Sequence, residues 1–426
     1  MKRRVNVGLG FVTGRESFKR VLRTYIDNWN ESSQRSGATQ DVALHLFVAH
    51  DLAYTNTEAA DYEVIDDEVI RSVASVHSIS DSSTRIETQD LIRRQILTSR
   101  EVKLLFGKGY GARRNTVLYQ AAKSDMDYLI FLDDDEYPLA TTRIGARDYW
   151  QGQPVIATHL EYLSESDITH GHHCGYVSPI PQFEWNDQLS KDDFRLFIEA
   201  ISNDILSWES VEELMGNSGV TYAAHSILEA ARAEEVLEIN GMKFISGSNL
   251  GFSLRARSRL SPFYSPPGAR GEDAFLSTVL GDRKVMKIPT YVFHDGFLRH
   301  RHLLTGVLPR ELRAVSSSDP DVVERFLNAC IGWIRYKPLL TYVINRKGYE
   351  VEIAEIKEKL AVSIPRLCAY FGIDDFNRIP IELEYYHRHV ESHFKDFEDS
   401  KIAWATVMAS LENAQSSRPC SRTLAS

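Results

Sequence analysis

The chain has 426 residues, of which 43% are hydrophobic and 25% charged. That length exceeds one comfortable hydrophobic core, so a large domain with a smaller appendage is expected, and the composition excludes collagen-like, coiled-coil and disordered classes. A formal net charge of −10 repels polyanions over most of the surface, which argues against extended nucleic-acid binding and leaves any phosphate ligand to local basic pockets.

Val5 to Thr13 reads as a strand, and Glu16 to Trp29 as a helix because Phe18, Val21, Leu22, Tyr25, Ile26 and Trp29 recur at helical spacing. Val42 to Ala49 reads as a second strand that ends on His50 and Asp51, at the carboxyl edge where open α/β sheets bind ligands. Residues 55 to 107 are mixed and polar, consistent with a helix and connecting segments. Arg113 to Lys123 reads as a helix and Tyr128 to Leu132 as a short buried strand. This alternation implies an α/β fold with a mostly parallel, doubly wound sheet. Further on, Val155 to Leu160 reads as a strand, Asp192 to Leu214 as helical, Phe244 to Leu254 as a return to the sheet, and Val285 to His294 as a last strand. Val322 to Tyr336 and Glu350 to Ala369 show helical periodicity, giving a helical carboxyl-terminal region over 305–415 and a flexible tail over 416–426.

Cys174, Cys330, Cys368 and Cys420 are far apart with no CxxC spacing, which argues against a disulfide framework and a structural zinc and favours a reducing, cytoplasmic setting. The amino terminus reads as no secretion signal, and no apolar run reaches the roughly 20 residues that span a bilayer. Contact with a membrane is therefore expected to be peripheral.

The segment YLIFLDDDEYP carries the strongest chemical signal. Asp133, Asp134 and Asp135 follow a strand buried on both faces, and three adjacent carboxylates repel one another unless a cation neutralises them. Hard oxygen ligands select Mg2+ or Mn2+, which take one or two carboxylates and complete their shells with phosphate and water.

GYGARRNTVLYQAAKSDMDYLIFLDDDEYP, residues 109–138, resembles the donor-binding core of GT-A glycosyltransferases, especially the family 2 type. The resemblance implies a GT-A fold, with a Rossmann-like, mostly parallel central sheet flanked by helices. It implies a nucleotide-binding part over 1–140 and an acceptor-side part over 141–304. It implies that Asp133 and Asp134 face the ribose and sugar of a UDP- or GDP-sugar, that Asp135 ligates the metal, and that Arg113 belongs to the nucleotide-sugar side. ISGSNLGFSLRA, residues 245–256, and RGEDAFLSTVLG, residues 270–281, resemble the acceptor-side half. There Asp273 takes the role of general base, Glu272 that of positioning acceptor or donor, and Asn249 a place at the acceptor.

In KIPTYVFHDGFLRHRH, residues 287–302, the resemblance makes His294 a ligand to the cation and Arg299, His300, Arg301 and His302 a basic run for the diphosphate. Thr13, Gly14, Arg15, Glu16, His50 and Asp51 fall where the family contacts the base, although His-Asp-Leu-Ala replaces the usual second-strand ending. The implied activity is transfer of a sugar to a hydroxyl acceptor, saccharide or small molecule, with inversion.

Two other readings stand beside this one. A nucleotidyltransferase that makes a sugar nucleotide also joins a Rossmann-like sheet to magnesium-binding acids, but GLGFVTGRES lacks its glycine-rich phosphate loop. A non-catalytic carbohydrate-binding protein on a transferase-like fold leaves the intact acids unexplained. HGHHC, residues 170–174, invites zinc, but adjacent histidines seldom meet at one ion. A loop near the acceptor pocket fits better, with Tyr176, Phe183 and Trp185 near enough in sequence to stack on sugar faces. The helical carboxyl-terminal region is the natural place for a homo-oligomer contact.

Overall fold

The computed structural model describes residues 4–15, 17–35, 41–52, 55, 57–63, 66–202, 207–299, 303 and 306–416. Its strands are β1 (Val5–Thr13), β2 (Val42–His50), β3 (Ser75–Ile79), β4 (Tyr128–Leu132), β5 (Glu136–Tyr137), β6 (Leu139–Ile144), β7 (Arg147–Gly152), β8 (Ile168–Gly175), β9 (Glu234–Glu235), β10 (Leu250–Ser253) and β11 (Val285–His294). Nine of them form one sheet in the order β3-β2-β1-β4-β10-β8-β11-β5, with β9 also paired to β11. β6 and β7 make a separate hairpin. The result is an α/β architecture with a mostly parallel central sheet flanked by helices and a helical carboxyl-terminal region.

β1, β2, β3 and β4 run parallel to one another. β10 is antiparallel to both β4 and β8, so the double reversal returns β8 and its parallel partner β11 to the direction of β4. The carboxyl ends of β1, β2, β4, β8 and β11 therefore lie along one edge, together with the amino end of β10. This edge collects Thr13, His50, Asp133, Gly175, His294 and Asn249.

β1 and β4 are almost wholly buried, as continuous apolar runs covered by helices on both faces require. On one face, Phe18, Val21, Leu22, Tyr25 and Ile26 of the helix Phe18–Arg35 form the expected apolar stripe. On the other lies the helix Tyr110–Lys123, close enough that a Cβ on Gly10 would sit 2.9 Å from Val117 Cγ1. The polar stretch after β2 resolves into an edge strand, β3, and the helices Asp81–Arg93 and Ser99–Phe106. Each of these helices opens on a capping box, Ser80 with Ser83 and Thr98 with Glu101.

Four segments differ from the sequence expectation. Val155–Leu163 is a helix, not a strand, and buries Val155, Ile156, His159 and Leu163 on one face; a short apolar run does not separate the two periodicities. HGHHC lies in β8 within the sheet, not in a loop. The expected helix over 192–214 is two helices, Lys191–Ile201 and Trp208–Gly216. Only Leu250–Ser253 of the stretch 244–254 is a strand.

The carboxyl-terminal helices are Pro320–Ile344, Tyr349–Phe371, Arg378–Arg388 and Val390–Ser416. The expected flexible tail lies outside the described residues beyond Ser416. Phe326, Ile334, Leu367 and Phe376 share one apolar cluster with Phe194, Phe197 and Trp208, so the helical layer recruits the segment around 180–215 as well. The last helix returns to the sheet, where Trp404 joins the cluster of Phe106, Leu118 and Leu129. Among the described residues, no helix is long and apolar enough to cross a membrane.

A buried polar network pins β8 to β10. His159 Nε2 lies 2.9 Å from Asn249 Oδ1 and Nδ1 lies 2.7 Å from Thr169 Oγ1. A neutral ring that donates from Nε2 and accepts at Nδ1 satisfies both partners. Asn249 is fully buried at φ 51°, and its Nδ2 donates to His172 O at 3.3 Å. A Cβ on Gly171 would lie 1.9 Å from that nitrogen and 2.8 Å from Thr290 O.

Two outcomes follow from this network. Gly171→Ala should destabilise the protein by about 3 kcal/mol in urea denaturation, since neither neighbour has room to move. Burial pushes the His159 ring down from its ordinary 6.5 to about 4, against the pull of Asn249. Its folded value is depressed, so its contribution is complete above the unfolded value and is lost as pH falls through the folded one. Melting temperature should therefore drop between pH 6.5 and 4, and His159→Gln should flatten that decline; an unchanged slope would contradict the neutral buried ring.

Candidate functional site

Four successive carboxylates follow β4, and each is compensated, with Arg15 shared by two of them. Asp133 Oδ1 accepts from Tyr110 Oη at 2.8 Å and lies 3.4 Å from Arg114 Nη2. Asp134 accepts from Thr13 Oγ1 at 2.6 Å and from Arg15 Nη1 at 2.5 Å. Asp135 Oδ2 lies 2.9 Å from the same Arg15 nitrogen and 3.5 Å from His294 Nε2. Glu136 faces His173 Nε2 at 3.3 Å and accepts a hydrogen bond from Ser248 Oγ. Mutual repulsion within the acidic run is thus offset by cations and hydrogen-bonding groups of the chain itself, delivered from the ends of β1, β8 and β11 and from the helix Tyr110–Lys123.

The titration of these groups follows their surroundings. Burial pushes Asp133 up to about 7, opposed by Arg114 and reinforced by the charges of Glu136 and Asp135. Burial also raises Asp134, against Arg15. For Asp135 burial acts upward too, but His294 and then Arg15 outweigh it and hold the carboxyl well below its ordinary range. Burial alone would lower His294; Asp135 reverses this and keeps the ring up at about 9. Glu136 is held low despite burial, chiefly by His173.

Asp135 and His294 are held in place by the backbone as well. Asp295 N donates to Asp135 O at 2.9 Å, and His294 pairs with Glu136 in the register of β11 with β5. His294 Nδ1 lies 2.8 Å from Tyr176 O. Donation from Nδ1 to that carbonyl aims Nε2 at Asp135 and is the arrangement that orients a metal-binding imidazole. A carboxylate oxygen and an imidazole nitrogen 3.5 Å apart are a donor set suited to a borderline-hard divalent ion such as Mn2+. Among the described residues, no group of three or more His, Cys, Asp or Glu side chains is gathered to hold a metal. An ion on this pair would take its remaining ligands from phosphate and water, as Mg2+ commonly does.

Arg114 ties the acidic run to the second motif. Its buried guanidinium contacts Asp133, donates to Gly247 O, and lies 3.7 Å from Glu272 Oε1. It also stacks over Tyr110 at 4.8 Å and Phe131 at 5.2 Å. Burial and the charge of Asp273 raise Glu272, against Arg114. A Cβ on Gly247 would lie 3.2 Å from Asp273 Oδ2 and 3.6 Å from Arg114 Nη2. The Glu272–Asp273 pair therefore opens its short helix beside Arg114.

Other expected residues fall on this edge or away from it. Arg113 bridges Asp51 at 3.3 Å and Asp81 at 3.0 Å and donates to His50 O at 2.8 Å, which joins the ends of β2 and β3. Arg299 is directed to Asp319 at 2.7 Å and Ala314 O at 3.0 Å. His300, Arg301, His302 and Glu16 lie outside the described residues. Asn249 is enclosed in the network behind β10 and has no exposed surface. Trp185 stacks on Phe183 at 5.4 Å at the border of the helical cluster. A cavity of about 830 Å³ lies elsewhere, lined by His170, Glu234, Lys287, Lys337 and Leu340 among others, and by none of the four acids.

Several residues at the site escaped sequence reasoning. Tyr110 and Arg114 share a helical face four residues apart, which was a usable signal for choosing Arg114 over Arg113 as the partner of Asp133. Glu136 and His173 required β8 to be read as a strand. Arg325 enters from the helix Pro320–Ile344, donates to Gly296 O, stacks over Phe297 at 4.8 Å and pulls Asp135 downward through its charge. Nothing local in the sequence announces it.

No family model matches the chain, and no curated protein matches it. Among solved structures it is similar to the galactosyltransferase LgtC, crystallised in complex with donor and acceptor sugar analogs. The identity is 9%, the match covers 76% of this chain and 95% of that one, and the TM-score is 0.25. A likeness so loose leaves family and activity to be argued from the site.

Proposed function

We propose that this chain is a metal-dependent glycosyltransferase that moves a sugar from a nucleoside diphosphate sugar to a hydroxyl acceptor with inversion. The observation that carries the reading is the meeting of Asp135 with His294, which are far apart in sequence and 3.5 Å apart in space. Asp133 and Asp134 flank the pair at the carboxyl edge of parallel strands, where nucleotides bind in open α/β sheets.

Asp135 and His294 would hold the divalent ion, which supplies positive charge to the departing diphosphate. Thr13, Arg15, Asp51 and Arg113 line the ends of β1 and β2 and form the nucleotide side. Arg15 already spans Asp134 and Asp135, and its guanidinium is suited to phosphate oxygens as well as carboxylates. Asp273 takes the acceptor proton as general base. Glu272 and Arg114 fix the base relative to Asp133.

The test is donor hydrolysis and transfer with UDP- and GDP-sugars in the presence of manganese. Asp135→Ala should abolish both activities, by at least about 100-fold in kcat. Asp273→Ala should leave nucleotide affinity unchanged and remove transfer. Equal metal-dependent nucleotide affinity in wild type and Asp135→Ala, by calorimetric titration, would count against the assignment. Proton NMR of a single-turnover product should show inversion; a retained anomeric configuration would remove the role given to Asp273.

A further inference from the structure

The hairpin that follows the acidic run presents a surface the donor-site reading does not use. At its tip Ile144 is 60% exposed, and Tyr149 on β7 is 50% exposed. The segment 307–313 runs alongside β7. Asp148 N donates to Arg310 O at 2.9 Å, Leu312 N to Asp148 Oδ2 at 2.6 Å, and Trp150 Nε1 to Pro309 O at 2.8 Å. It adds Val307 and Leu308, 57% and 45% exposed. Four large apolar side chains are thus exposed on one hydrogen-bonded unit of hairpin and adjoining segment, where isolated exposed residues would need no explanation.

The exposed charge around them is mainly positive, four arginines against the single acid Glu311. Arg143, Arg147, Arg310 and Arg313 are all exposed on the same two segments. Arg143 has Glu311 at 3.8 Å, while the side chains of Arg147, Arg310 and Arg313 make no ion pair among the described residues. In a chain of net charge −10, three unpaired arginines interleaved with exposed aliphatic and aromatic tips form a local reversal of the surface field.

We infer that this hairpin and the segment tied to it dock on an anionic lipid surface. Apolar tips entering the headgroup boundary while guanidinium groups meet lipid phosphates is the arrangement of interfacial proteins, and neither component suffices alone. The short length of the hairpin gives peripheral, reversible contact. β6 begins three residues after Glu136, so docking brings the acidic site close to the lipid surface.

Co-sedimentation of the full chain with sucrose-loaded vesicles tests this independently of any transferase activity. The protein should pellet with phosphatidylcholine–phosphatidylglycerol vesicles at low salt, be released at high salt, and stay in solution with phosphatidylcholine alone. Each arginine neutralised should lower partitioning by about five-fold, so Arg147→Gln/Arg310→Gln should lower it by about 25-fold. Ile144→Ser/Leu308→Ser should weaken binding to the same vesicles even at low salt. All four positions are exposed, and an unchanged circular dichroism spectrum will show that the variants fold. Equal pelleting with neutral and anionic vesicles, wild-type binding by either double variant, or self-association without vesicle binding overturns the inference.

Discussion

Four consecutive buried or half-buried carboxylates cannot coexist in a fold unless each is given compensating charge or hydrogen bonds, because desolvation and mutual repulsion both oppose ionisation. In this protein the compensation is divided. Arg114 serves Asp133, Arg15 serves Asp134 and Asp135 together, His294 serves Asp135, and His173 serves Glu136. These partners come from four separate segments, so the acidic run after β4 can form only when β1, β8, β11 and the helix Tyr110–Lys123 are assembled around it. The site and the central sheet are one problem in folding.

This dependence explains why the edge is so well defended. Arg114 is buried against Tyr110, Phe131 and Phe263 and pairs on two sides with acids. Removing one member of such a group leaves its partners desolvated and unpaired, which costs more than the pair itself contributes. Arg325 extends the same logic to the helical layer. Through Gly296 O and Phe297 it fixes the turn that carries His294 out of β11, so the carboxyl-terminal helices bear on the site without contributing to the sheet.

Much of this was legible in the sequence because it depends on local pattern. β1, β2, β4 and the helix after β1 follow from apolar periodicity, and Asp133, Asp134 and Asp135 follow from acids at the end of a buried strand. The pairing of Asp135 with His294, 3.5 Å apart, was expected only from the family resemblance and not from local pattern. What stayed hidden depends on pairing in space. β8 does not read as a strand because its histidines are polar by composition, although His170 is fully buried and His173 faces Glu136. Val155–Leu163 has too few residues to reveal its period. Asn249 lay within a recognised motif, yet its side chain serves the interior, where it meets His159 just before β10. Arg299 has a nearer acid in Asp319 than any in the acidic run.

The consecutive spacing of the acids has a further consequence for how such a segment can change. Neighbouring residues point in different directions, and here each direction has its own recipient: Thr13 and Arg15 on one side of Asp134, Tyr110 and Arg114 for Asp133, the imidazoles for Asp135 and Glu136. Inserting or deleting a single residue between Leu132 and Tyr137 would part the acids on one side of the change from their partners. Point substitutions can be absorbed one partner at a time, but the length of this stretch is fixed as firmly as its charge.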